Sequence, residues 1–331
     1  MTANRKSKAR VKRALTLLPA LVLLLALPTS AVDPQSAGTG SAAPASGTAG
    51  DALRTCTRCH DESDPFPVLS ILKTRHAVMA DPDTPFAREA CVTCHGASAA
   101  HMEAPADAAE RAAPDIVYDG AHASTAAEQS GVCVDCHAGG DRTHWRGSAH
   151  ESEEVACSSC HVIHTGNDPV LATETQPDTC FQCHKRQRAE TRRPFTHPIR
   201  EGEMACTGCH NPHGSAGPSL LTETTVNETC YDCHAEKRGP FLWEHQPVRE
   251  DCTHCHRPHG SVHAAMLTSR GPFLCQQCHL AQFHPSTAYS GTGLPGESVP
   301  SGAQQMLGKN CMNCHSQVHG SNHPSGVRKT R

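Results

Sequence analysis

All 20 cysteines in this 331-residue chain belong to one five-residue pattern, Cys-x-x-Cys-His, which occurs ten times. The thiol pairs are Cys56 and Cys59, Cys91 and Cys94, Cys133 and Cys136, Cys157 and Cys160, Cys180 and Cys183, Cys206 and Cys209, Cys230 and Cys233, Cys252 and Cys255, Cys275 and Cys278, and Cys311 and Cys314. The histidines that follow them are His60, His95, His137, His161, His184, His210, His234, His256, His279 and His315. No copy is incomplete and no cysteine is left over. Disulfides would suit an exported chain, but they give no reason for a histidine after every second cysteine. Zinc sites use such cysteine pairs as parts of four-ligand sets, and they do not require that histidine either. Covalent haem attachment requires both features: two thiols three positions apart form thioethers to one porphyrin edge, and the adjacent histidine reaches the iron. The spacing therefore implies ten covalently attached haem c groups, with these ten histidines as proximal ligands.

Composition agrees. Only 37% of residues are hydrophobic, cysteines included, and 4% are aromatic, whereas ordinary globular chains are nearly half apolar. Such a chain buries too little surface of its own to offset its conformational entropy, so the macrocycles must supply the core. The expected fold is mostly irregular with short α-helices, an elongated multihaem cytochrome c wrapped around a chain of ten haems and built on a repeated two-haem unit. The 25 glycines and 24 prolines suit a wrapper of turns, and no alternating run suggests a sheet. A multispan membrane protein, a coiled coil and a Rossmann-type enzyme do not fit this composition, and disorder does not explain the cysteines.

Residues 1–31 have the form of a secretory signal peptide. Arg5, Lys6, Lys8, Arg10, Lys12 and Arg13 precede an apolar stretch from Ala14 to Pro28, and Thr29-Ser30-Ala31 offers small residues for cleavage. The apolar stretch is short for a membrane span of about 20 residues, so a retained anchor is the lesser alternative. No Arg-Arg pair precedes it, which indicates the general secretory route and a periplasmic location. Cleavage would change the formal balance from 29 basic and 33 acidic residues to 23 and 33, a net charge of −10. That surface lacks the basic footprint nucleic acid needs. Residues 32–52 form a flexible linker rich in Ala, Gly and Ser, residues 53–327 the decahaem domain, and residues 328–331 a basic tail.

An internal repeat sorts the remaining histidines. Residues 157–205 contain a motif, a histidine three residues past it, a second motif and a later histidine. Residues 206–251 repeat this order, and residue 252 starts it again. Asp168-Pro169-Val170-Leu171-Ala172-Thr173-Glu174-Thr175 in one unit aligns with Gly217-Pro218-Ser219-Leu220-Leu221-Thr222-Glu223-Thr224 in the next. The in-phase histidines are His164 and His197, His213 and His245, then His259 with His284. A looser unit at 91–156 supplies His101 and His150. The first motif supplies His76 and the last His319. These ten match ten irons as second axial ligands. His323 competes with His284, which sits earlier than the repeat expects. His122, His144, His254 and His263 fall outside the phase and are expected at the surface or beside haem propionates. No methionine repeats in phase as an alternative ligand. The expected irons are therefore bis-histidine and six-coordinate, suited to passing electrons rather than binding a substrate, with no catalytic residue of the chain's own. No Cys-x-x-Cys-Lys motif is present to leave an iron open.

Beyond the motifs, the chain resembles the MtrA/DmsE family of periplasmic decahaem cytochromes over roughly residues 53–327, most closely from His197 onward. The resemblance lies in Glu228-Thr229-Cys230-Tyr231-Asp232-Cys233-His234-Ala235-Glu236-Lys237-Arg238-Gly239-Pro240, in Leu242-Trp243-Glu244-His245, and in Cys275-Gln276-Gln277-Cys278-His279. It is most distinctive in Cys311-Met312-Asn313-Cys314-His315-Ser316-Gln317-Val318-His319-Gly320-Ser321-Asn322-His323-Pro324-Ser325-Gly326. It implies a rod of closely packed haems inserted in a large outer-membrane β-barrel. A periplasmic cytochrome would exchange electrons at one end and an outer-surface cytochrome or reductase at the other. It also implies the distal set given above and includes a histidine at the His284 position, while His122 is particular to this chain. A haem wire with charged loops cannot face lipid directly, and large barrels can enclose one. The expected function is an electron conduit between the periplasm and the cell exterior. A soluble periplasmic shuttle is the alternative, and a multihaem terminal reductase the more distant one.

Overall fold

The computed structural model describes residues 49–105, 111–279, 310–324 and 326–329. The signal-peptide segment, nearly all of the linker, and His284 lie outside the described residues. Short helices and 3-10 turns joined by irregular chain make up the described part, as the composition suggested. Among the described residues, no helix is long and apolar enough to cross a membrane.

Each motif forms one helical turn. The histidine amide donates to the carbonyl of the first cysteine in all ten copies, at 2.8–3.1 Å. With 3.6 residues per turn, positions i, i+3 and i+4 then share one face, so both thiols and the imidazole point the same way. Motifs alternate in their setting. All five odd-numbered motifs begin at the ends of α-helices: Ala49–Cys56, Ala126–Val134, Gln176–Cys180, Val226–Tyr231 and Phe273–Gln276. Thr125 and Glu128 begin one of these helices with a capping box, and Thr225 accepts from the Glu228 amide in another. Even-numbered motifs from the fourth onward are 3-10 turns at Cys157–Ser159, Cys206–Gly208, Cys252–His254 and Cys311–Asn313.

Buried polar side chains clamp the third, fifth and seventh motifs to the even motif that follows each. Gln129 and Ser130 hold the fourth-motif turn through Ser158 Oγ and the Cys157 amide. Gln176 accepts from the Thr207 amide at 3.0 Å and donates to Thr207 Oγ1. Asn227 accepts from the Cys252 amide at 2.8 Å and donates to the Val248 and Arg249 carbonyls. A buried amide satisfied on both its oxygen and its nitrogen specifies one arrangement, because a displaced clamp would strand polar atoms away from water.

A second device ties each unit to the next but one. Strand β1 (Trp243–Glu244) pairs antiparallel with β2 (Gly320–Ser321), placing Trp243 opposite Ser321. The single bridge Phe195 to Ser261 is the same contact one unit earlier. In both, a residue two before one spare histidine meets a residue two after another. The expectation of no sheet is corrected to this extent: the pairings are real but only one or two residues long, too short for an alternating pattern. The glycines after His213, His259 and His319 have φ of 111°, 132° and 141°. Added side chains there would run into the His144 and Glu190 carbonyls and the Phe241 ring. These are positions where only glycine allows the close approach.

Buried hydrophobics among the described residues are few: Ile71, Phe86, Ala90, Trp145 and Ala156. The first three pack together near Leu53, Cys91 and Ile163. This leaves the space between motif turns to be filled by something other than side chains.

Candidate haem centres

The motif turns bring the spare histidines to the proximal ones in nine pairs. The pairs are His60 with His101, His95 with His164, His137 with His76, His161 with His213, His184 with His150, His210 with His259, His234 with His197, His256 with His319, and His279 with His245. Their ring centroids lie 6.0–6.4 Å apart. With a metal–imidazole bond of about 2.0 Å and about 1.1 Å from nitrogen to ring centroid, one iron between two imidazoles requires roughly 6.2 Å. Direct van der Waals stacking would bring parallel rings closer. The residues present therefore fit an iron held axially by each pair.

Second partners fix which nitrogen faces the gap. The Nδ1 atoms of His95, His101, His150, His197, His210, His245, His256 and His315 lie 2.6–3.1 Å from backbone carbonyl oxygens. Those of His60 and His161 lie 3.0 and 2.7 Å from the carboxylates of Asp64 and Asp168. A ligand histidine usually donates its other ring N–H in this way, which fixes the tautomer and leaves Nε2 for the metal. Burial also pushes the imidazoles of His95, His137, His164, His213, His245, His259 and His319 below their ordinary pKa. The neutral ring is the form that can ligate.

The interlock reappears in these bonds. His150 reaches the carbonyl of Pro212, His197 that of Pro258 and His245 that of Val318. Each acceptor immediately precedes another spare histidine, so orienting one axial side chain also fixes the loop that carries the next.

The cysteines follow the motif order. First cysteines meet in pairs through thiol hydrogen bonds: Cys56 with Cys91, Cys133 with Cys157, Cys180 with Cys206, Cys230 with Cys252 and Cys275 with Cys311. Those bonds push the Cys91, Cys133, Cys180 and Cys230 thiols up and draw Cys56, Cys157, Cys206 and Cys252 down. Second cysteines make the alternate junctions. Cys94 feels Cys136, Cys160 feels Cys180 and Cys183, Cys209 feels Cys230 and Cys233, and Cys255 feels Cys278. The ten motifs are thus adjacent in sequence order from first to last. No cysteine is bonded to another, and among the described residues no group of three or more His, Cys, Asp or Glu side chains could hold a metal ion.

Of the histidines outside the repeat phase, the His254 ring lies 3.9 Å from Glu250, and the His263 amide donates to Ser261 Oγ. His323 accepts from Trp243 Nε1 through its backbone carbonyl and donates its amide to Ser321. The amide clamps and the two carboxylates beside His60 and His161 were not singled out from sequence. A polar residue three or four positions before an odd motif was the available signal for the clamps at Gln129, Gln176 and Asn227.

This geometry defines a multihaem c-type cytochrome. A doubled CXXCH motif family matches residues 197–239 and 245–283, and an NrfB-like cytochrome c-type family matches residues 91–177. The multihaem cytochrome MtrA of Shewanella baltica strain OS185 is 45% identical over 273 residues, which are 82% of this chain and 79% of that protein. The chain belongs to the MtrA family of multihaem cytochromes, binds haem c and is an electron carrier.

Proposed function

We propose that the chain carries ten haems, each bis-histidine, and relays electrons between periplasmic partners and the cell exterior through an outer-membrane β-barrel. The observation that carries this reading is the unbroken adjacency of the ten motifs together with nine imidazole pairs at iron-spanning distance. Bound haem supplies a one-electron ferric/ferrous couple. The chain's own residues do the rest: paired thiols would hold one edge of each haem, and two imidazoles would hold its iron and leave it no open position. The carbonyls and carboxylates at Nδ1 hold the rings in place. Closing both positions disfavours substrate binding, so no catalytic step is assigned.

The pairing also supports His284 as the tenth distal ligand. In the repeat, the first motif of a unit takes its partner from the following unit, as His161 takes His213. The second motif takes its partner from the preceding unit, as His234 takes His197. The amino-terminal half-unit has no preceding unit, and there His60 takes His101, the histidine the rule leaves over. At the other end the rule leaves over His284 for His315.

The export signal supports a periplasmic location, and the family supports a barrel as partner. Affinity purification of the mature haem-loaded protein from solubilised outer membranes tests both. A stoichiometric large β-barrel protein is the expected companion. Recovery of the cytochrome alone from the soluble periplasm would favour the shuttle. A substantial high-spin EPR signal from the oxidised protein would oppose the bis-histidine assignment and reopen the reductase reading.

A further inference from the structure

The repeat provides an internal comparison at one proximal histidine. In two successive units the histidine Nδ1 bonds a carbonyl nine residues on: His210 with Ser219 and His256 with Ala265, at 3.0 and 2.8 Å. Ser219 and Ala265 have left-handed backbone, with φ of 53° and 54°, which turns those carbonyls inward. The amide after each histidine, Asn211 or Arg257, donates to the next carbonyl, of Leu220 or Met266. In the unit that begins at Cys157 the segment Pro169–Leu171 keeps ordinary 3-10 backbone. One Asp168 carboxylate there replaces both acceptors. Its Oδ2 lies 2.7 Å from His161 Nδ1, and its Oδ1 accepts from the Val162 and Val170 amides. The aligned residues Gly217 and His263 carry no carboxylate. Asp168 is 12% exposed and His161 27%, so solvent screens this contact less than an exposed pair.

A carboxylate differs from a carbonyl by a full negative charge. Hydrogen-bonded to the outer nitrogen of a ligand histidine, it raises the basicity of that ligand, and a more basic axial ligand favours the ferric state. We propose that Asp168 is a positioning residue that lowers the reduction potential of the iron bound by His161 and His213 below that of its repeat equivalent at His256; the His210 site is the weaker comparison, because the Glu190 carboxylate lies 3.6 Å from Nδ1 of its partner His259. Asp64 does the same for the iron of His60 to a smaller extent, since it is 27% exposed against a histidine 44% exposed. The potentials along the chain then do not vary smoothly: a low step stands at the fourth motif.

The inference rests on bis-histidine haem c at these sites, and the test separates the two ideas. The wild-type mature protein is first measured for haem content by mass and for low-spin EPR. A shortfall in haem or a large high-spin signal there would count against the ligation itself, before any variant is made. Asp168→Asn keeps the size of the side chain and can still cap the Pro169–Leu171 turn, but its single oxygen cannot serve both Nδ1 and the backbone amides. Asp168→Ala is the second variant, and Asp64→Asn the companion at the first site. In a potentiometric titration followed at the haem α-band, Asp168→Asn and Asp168→Ala should each move one component to higher potential. The other components should stay in place, haem content should be unchanged, and one low-spin EPR feature should shift. Asp64→Asn should move a different component by less. Superimposable titrations with unchanged EPR would overturn the proposal. So would a uniform displacement of all components, because a change in overall charge does not act through His161.

Discussion

The imidazole is the unit on which this molecule depends, and its two nitrogens have separate duties. Nδ1 is held by a carbonyl or carboxylate in ten of the histidines described above, so Nε2 is left for iron. Which histidines serve was legible in the sequence, because they recur in phase with the motifs. Which one serves which motif was not, because partners come from neighbouring units and no local spacing encodes that exchange. The exchange makes a residue-scale prediction. His284→Ala should leave haem content unchanged but convert about one iron in ten from low-spin to high-spin, read by EPR of the oxidised protein. His323→Ala should leave the spin state unaltered, because the left-over rule assigns that histidine to no iron. High-spin signal from the second variant alone would reverse the assignment.

Short helices at the odd motifs follow from local signals, such as Thr125 with Glu128 or Thr225 with Glu228. The contacts between elements do not. The interlock rests on one- and two-residue pairings, below the length at which a period of two can be seen, and the clamps rest on single amides. Their energetic weight is nevertheless testable. Asn227→Ala removes the acceptor for the Cys252 amide and the donor to two carbonyls. Leaving those groups buried and unpaired should cost about 1–3 kcal/mol, visible as a lower thermal midpoint, whereas Gln246→Ala on an exposed face should have little effect. Gly260→Ala acts at the other device. At φ 132° and against the Glu190 carbonyl, the added methyl meets both backbone strain and a collision. A loss of at least about 1–3 kcal/mol is expected, with faster proteolysis around Phe195, whose bridge to Ser261 lies beside this glycine.

Across the whole molecule, ten copies of one motif set the order of the sites, and the structure adds that the cysteines of consecutive motifs come near enough to influence one another at every junction. Close approach of first cysteines within a pair alternates with a longer-range influence on the second cysteine of one pair from the first motif of the next. The interlock reaches the next unit but one. Stability is then shared among neighbours, as in a repeat protein, and we propose, as the family resemblance implies, that the haem-loaded chain is extended. A compact domain of about 300 residues would have a radius of gyration near 19 Å, so solution scattering should return a clearly larger value for the haem-loaded chain. Apolar content points to a second outcome. The small cluster of Ile71, Phe86 and Ala90 serves one end of the chain, while most motif turns have little buried aliphatic surface of their own. Conformational entropy opposes ordering every residue, and the intervening turns have only polar clamps to set against it. Expression without haem attachment should therefore yield a chain with weak far-UV circular dichroism and rapid proteolysis throughout. A cooperative thermal transition in that haem-free chain would show that the clamps and interlocks suffice alone, and would assign haem an electronic role without a structural one.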